Sequence, residues 1–132
     1  MAKKVLIVED EPGYQELLAF LLKGYDVELV ASAEAAVEKL ERERFELIVS
    51  DVQLLGASGL CLLDALKERN QKIPIVFCTV YADPEIRDRA LADGAAGYLN
   101  KPFDQKIFAG LVRTALHGDP QGPPPPAMAA TA

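Results

Sequence analysis

Positive charge is scarce in this chain: 14 Lys and Arg stand against 20 Asp and Glu, a formal net charge of −6 over 132 residues. That balance opposes the counterion release that drives binding to DNA or RNA phosphates, so no nucleic-acid partner is expected for this domain. Long apolar runs are missing as well. None approaches the roughly 20 residues that span a bilayer. Met1-Ala2-Lys3-Lys4 passes directly into Val5-Leu6-Ile7-Val8 and then into acid, without the long apolar region and cleavage site of a signal peptide. A cytoplasmic location, away from any membrane, is the expectation. Histidine occurs once. His117 falls at the end of the last helical pattern, where partial positive charge suits the helix dipole. Its isolation argues against a kinase or phosphotransfer protein that works through a histidine on a helix face. The two cysteines, Cys61 and Cys78, sit in apolar stretches without metal-like or redox-like spacing, which leaves buried, reduced core thiols.

What remains is an ordinary globular composition, half apolar and 26% charged, in a length that suits one domain. Val5-Leu6-Ile7-Val8, Leu47-Ile48-Val49 and Ile73-Pro74-Ile75-Val76-Phe77-Cys78 lack polar alternation, as do strands covered on both faces of a parallel sheet. Asp26 to Val30 and Gly97 to Leu99 are shorter candidates. Between them runs the helical period, in Tyr14, Leu17, Leu18 and Leu21, then in Ala33, Ala36, Val37 and Leu40, and again in Phe108, Leu111, Val112 and Ala115. Ser32, Ser58, Asp83 and Asp104 stand where N-caps belong, and Gly24 and Gly94 where helices close. Strand and helix alternate five times, which predicts an open, doubly wound parallel α/β sheet with right-handed crossovers. Residues 118–132, rich in Pro, Gly and Ala, are expected to form a disordered Pro-rich tail or a truncated linker.

In such a sheet all strands end at one edge, and sites form in the crevice there. Glu9, Asp10 and Glu11 end the first strand, Asp51 the third and Thr79 the fourth, and Lys101 follows the fifth. Carboxylates about 4 Å apart repel by about 4 kcal/mol at an effective dielectric near 20, so cations belong among them. Lys101 supplies one. A hard divalent ion such as Mg²⁺ suits the oxygen ligands, and zinc is disfavoured on ligand type. A pocket of this kind fits phosphoryl transfer, with Asp51 as the nucleophile that forms an aspartyl phosphate and with Thr79 and Lys101 binding the phosphoryl oxygens.

Glu9-Asp10 after an apolar first strand, Asp51 after Leu47-Ile48-Val49-Ser50, Gly59 beyond it, Thr79, and Gly94-Ala95-Ala96-Gly97-Tyr98-Leu99-Asn100-Lys101-Pro102-Phe103 together carry a resemblance. In that order and spacing, the chain resembles the receiver domain of two-component response regulators from Lys3 to about Leu116. The resemblance implies a receiver domain over residues 1–117, with a flavodoxin-like sheet of order 2-1-3-4-5 and five helices. It implies Mg²⁺ held by Asp10, Asp51 and the backbone carbonyl of Gln53, with Glu9 helping through water. It further implies a phosphoryl group received from the phosphohistidine of a histidine kinase or phosphotransfer protein, and a switch pair of Thr79 and Tyr98. Such a chain is a phosphoacceptor signalling domain, not an enzyme acting on separate substrates, and its surface is switched for a downstream partner or output domain. A homodimer through the fourth helix, fifth strand and fifth helix is also consistent with the resemblance. Kinase pairing would rest on surface residues of the first helix such as Tyr14, Leu17 and Leu18. The Lys101-Pro102 bond is often cis in such proteins.

Two positions depart from the family pattern. Leu55 stands where a proline is usual, which is expected to leave the loop more mobile, and Val80 where alanine or glycine is usual, beside the path to the phosphoryl group. The expectation is that Val80 hinders small donors and attacking water and lengthens the phosphorylated lifetime. Three rival functions remain open. A dehalogenase-type phosphatase would want an acid at Gln53 and a cap domain. A flavodoxin-like carrier would want Ser, Thr and Gly where Glu9-Asp10-Glu11-Pro12 stands. A degenerate receiver would recognise partners without phosphorylation.

Overall fold

The computed structural model of the protein describes residues 2–80 and 83–117. The proposed tail over 118–132 therefore lies outside the described residues. In chain order the elements are β1 (Lys4–Val8), α1 (Pro12–Leu21), β2 (Asp26–Val30), α2 (Ala33–Arg42), β3 (Leu47–Ser50), α3 (Cys61–Glu68), β4 (Ile75–Thr79), α4 (Pro84–Ala92), β5 (Gly97–Asn100) and α5 (Gln105–His117). The five strands form one sheet of order β2-β1-β3-β4-β5, and every pairing is parallel. This is the doubly wound arrangement the alternation predicts.

The three apolar runs become β1, β3 and β4 in the centre of the sheet, and their residues are buried on both faces because successive side chains point to opposite sides. One face packs Leu6, Val8, Ile48, Ile75, Phe77 and Tyr98 against α2, α3 and α4 through Ala33, Ala36, Leu40, Leu62, Leu66 and Ala90. The other packs Val5, Ile7, Leu47, Val49, Val76, Cys78 and Leu99 against α1 and α5 through Leu18, Leu22, Phe108, Leu111 and Val112. Each large aliphatic side chain so buried contributes about 1.5–3 kcal/mol before entropy is charged against it, so the central strands are held very firmly at their places. That rigidity is what the strand ends inherit.

Helix starts follow the sequence with one exception. Ser32 caps α2 through Ala35 N–H, Asp83 caps α4 through Glu85 N–H, and Asp104 accepts from Lys106 and Ile107 at the start of α5. Ser58 does not cap the α-helix. Its hydroxyl accepts from Leu60 N–H, and the next bonds, Cys61 to Ser58, Leu62 to Gly59 and Leu63 to Leu60, close three-residue turns. The α-helical pattern begins only at Cys61 because the tighter turn consumes the first residues. Gly24 and Gly94 close α1 and α4 with φ of 102° and 108°, values a side chain would resist. Cys78 is buried, and burial pushes its thiol well up, whereas Cys61 is only half-buried, on the rim of α3. Leu18 is core, 1% exposed, so it cannot be read by a docking partner.

Candidate functional site

The site forms where the firm central strands stop. Glu9 and Asp10 follow β1, Asp51 follows β3 and Lys101 follows β5. The backbone aligns them: Glu9 N–H donates to Val30 O and Asp51 N–H to Val8 O, each at 3.0 Å, while Lys101 N–H donates to Thr79 O at 2.8 Å. One carboxylate oxygen from each of Glu9, Asp10 and Asp51 lies within 4.8 Å of the others. The Lys101 ammonium reaches into this group, 2.6 Å from Glu9 Oε1 and 3.0 Å from Asp51 Oδ2. The side chains of Lys101, Glu9 and Asp51 are 3%, 1% and 8% exposed, so these are desolvated charges.

Burial, with a smaller push from the Asp51 charge, drives the Glu9 carboxyl upward, and the hydrogen bonds from Lys101 and from Glu11 N–H pull it only part of the way back. Burial pulls the Lys101 ammonium downward, but the bonds to Glu9 and Asp51 outweigh it and leave the ammonium firmly protonated. Three carboxylates and one ammonium at this spacing still leave an excess of negative charge. The donor set is all carboxylate oxygen, which fits a hard cation that takes oxygen ligands and retains water. Asp51 Oδ1 also accepts from Gln53 N–H at 3.0 Å, which places the Gln53 backbone beside the cluster.

Thr79 and Tyr98 stand on the neighbouring strands β4 and β5, both buried. Tyr98 lies opposite Phe77 in the register, and its ring is turned inward, 6.3 Å from the Phe77 ring. By the alternation of side chains, Thr79 shares the sheet face of Phe77 and Tyr98. The Lys101-Pro102 peptide is cis.

Several supporting contacts carry no signal in the sequence. Tyr14 lies beneath Lys101, with its ring centroid 4.0 Å from the ammonium, and is in turn 6.4 Å from Phe103. This aromatic surface holds a cation at about 0.5–2 kcal/mol and gives Tyr14 a place in the site's wall. Gln15 Nε2 donates to Glu9 O at 2.6 Å, and Glu11 turns its carboxylate to Gly13 and Tyr14 N–H as the N-cap of α1. Gly59 has a steric reason: a Cβ there would lie 2.0 Å from the Asp51 carbonyl oxygen. The loop between β3 and α3 is tied twice. Leu55 N–H donates to Asp10 Oδ2 at 3.0 Å, and Ala57 N–H to Glu34 Oε2 at 3.3 Å. The expected looseness at Leu55 is thus met by two backbone tethers, although its side chain is 79% exposed.

Comparison with known proteins agrees with this geometry. The model of the response regulator receiver domain matches residues 5–113. The response regulator protein FleR of Pseudomonas aeruginosa is 40% identical over 114 residues, covering 85% of this chain and 24% of FleR. The chain thus spans about a quarter of the length of the first curated relatives it matches. Among solved structures, the chemotaxis response regulator CheY4 of Vibrio cholerae superposes with a TM-score of 0.78 at 30% identity, covering 88% of this chain and all of the other. The receiver domain of the Pseudomonas aeruginosa sensor histidine kinase PA1611, solved with a magnesium ion coordinated in its active-site cleft, gives 0.76 at 30% identity, covering 88% of this chain and 98% of that one. With the sheet order, the acidic cluster and the family match in agreement, the chain belongs to the response regulator receiver domain family.

Proposed function

We propose that Asp51 accepts a phosphoryl group from the phosphohistidine of a partner histidine kinase or phosphotransfer protein. Its carboxylate oxygen forms the new P–O bond as the donor's P–N bond breaks and imidazole leaves. Asp10, Asp51 and the Gln53 carbonyl would hold Mg²⁺, with Glu9 acting through water because its carboxylate is already bonded to Lys101 and Glu11. Bound there, the ion would neutralise phosphoryl oxygens. Lys101 and the Thr79 hydroxyl bind those oxygens in this reading, and Thr79 with Tyr98 carries the change to the face of α4, β5 and α5. The receiver spans residues 1–117, works in the cytoplasm, and hands the switched surface to an output domain, a downstream partner or a second copy.

The observation that carries this reading is the buried Asp51 carboxylate, bonded to Lys101 at 3.0 Å within an acidic cluster at the sheet's C-terminal edge. The test is incubation with Mg²⁺ and either acetyl phosphate or a phosphorylated histidine kinase. The expected result is an acid-stable, base-labile label that Asp51→Asn abolishes. Absence of label from every donor would favour a module that binds partners without phosphorylation, and rapid turnover of a small phosphoester would favour a phosphatase.

A further inference from the structure

Asp10, from the loop after β1, is held by the far part of the β3–α3 loop. Its Oδ2 accepts the Leu55 N–H at 3.0 Å, a contact between residues 45 apart in sequence. The Leu55 side chain is too exposed to anchor anything, so what the loop brings to Asp10 is a backbone donor. Gly56, with φ of 87°, lets the chain turn directly afterwards, and Ala57 N–H is taken by Glu34, so the amide at 55 is fixed from its far side. A carboxylate has about four acceptor positions over two oxygens. One directional bond to Oδ2 restricts rotation of the group while leaving acceptor capacity for a cation. Proline, the residue usual at this place in the family pattern, has no N–H and cannot make this bond.

We propose that the Leu55 amide is a positioning group for the cation. It fixes the Asp10 carboxylate in the orientation that completes the acidic cluster, and it raises Mg²⁺ affinity without touching the ion. The inference rests on the metal-site reading given above. Hydrogen bonds to ligating carboxylates generally matter in this way, and losing one lowers metal affinity by about 10–100-fold.

Calorimetric titration of Mg²⁺ into wild type, Leu55→Ala, Leu55→Pro and Glu34→Ala separates the possibilities. Leu55→Ala keeps the amide and is expected to bind as wild type does, whereas Leu55→Pro loses it and is expected to bind at least about tenfold more weakly. Glu34→Ala loosens the turn after the amide without removing the donor and is expected to weaken binding less than Leu55→Pro does. Equal weakening in Glu34→Ala and Leu55→Pro would assign the effect to general loop slack and overturn the inference, as would equal binding by Leu55→Pro and Leu55→Ala. Amide exchange in the unaltered protein decides the matter independently if Leu55→Pro does not fold. The Leu55 N–H should stay protected as Mg²⁺ saturates, and its exposure on saturation would show that the ion breaks the bond. A wild-type protein that binds no Mg²⁺ would remove the metal site itself, whereas normal wild-type binding with an unaffected proline variant would remove only this inference.

Discussion

Replacing Lys101 by methionine keeps an apolar stem against Tyr14 and deletes the ammonium. That ammonium bonds Glu9 at 2.6 Å and Asp51 at 3.0 Å, among side chains no more than 8% exposed. Removing one partner of a buried ion pair costs about 3–5 kcal/mol because it leaves charge stranded from water. Coulomb's law gives a matching scale: two carboxylates at the cluster's 4.8 Å limit repel by about 3.5 kcal/mol at an effective dielectric of about 20. Against a typical domain stability of about 5–15 kcal/mol, this is a large loss. It should also depend on pH in a defined sense. Burial pushes Glu9 up and Lys101 is the chief influence pulling it back. Without the lysine, the folded-state value climbs further above the unfolded one, so the folded form keeps a proton that the unfolded form releases. Stability then falls as pH rises between those values, by up to about 1.4 kcal/mol per pH unit. Urea denaturation followed by circular dichroism, with EDTA present, should show a Lys101→Met deficit that is largest near about pH 8 and shrinks toward about pH 5. Adding Glu9→Gln should recover part of the loss and flatten the pH dependence. A deficit equal at both ends of the range would refute the reasoning.

Gly59→Ala should cost about 3 kcal/mol or more, because the new methyl meets backbone, the Asp51 carbonyl oxygen at 2.0 Å, which cannot turn aside. A urea midpoint close to wild type would mean the loop shifts freely and that Asp51 is less firmly placed than its contacts imply. Val80, 63% exposed directly after Thr79, presents two methyl groups to solvent at the strand's end. Val80→Ala should raise the rate of phosphoryl loss from labelled protein about threefold, a change under 1 kcal/mol in barrier height, and an unchanged rate would retire the idea that Val80 shields the group.

The sheet was legible because its central strands are covered on both faces, which removes polar alternation from the sequence and leaves an unmistakable run of Val, Leu and Ile. The acidic residues were legible for a related reason, since charged groups placed directly after such runs collect at one edge of a parallel sheet, whereas Lys101 was legible through the Gly94 to Phe103 stretch that carries the resemblance. Backbone donors left no trace. The Leu55 and Gln53 amides belong to every residue type but proline, so their use at Asp10 and Asp51 follows from loop geometry alone. Ser58 shows a limit of a different kind, since a serine before a helix caps equally well a tighter turn that delays the helix by a few residues. The role of Tyr14 depended on a contact across 87 positions, between a helix face read as surface and a lysine that carries no pattern of its own.

The bond between Glu9 and Lys101 joins residues 92 apart, and Lys101 follows the outermost strand on its side of the sheet. A growing chain therefore makes its carboxylates early and their ammonium late. Until β5 joins the sheet, Glu9 and Asp51 have no lysine between them, and their mutual repulsion works against the packing of the strand ends. The pairing of β5 with β4 is what sets Lys101 between the two carboxylates and completes the sheet. On the phosphoacceptor reading proposed above, competence to hold a phosphoryl group would require a chain synthesised through Lys101 with its last strand in place.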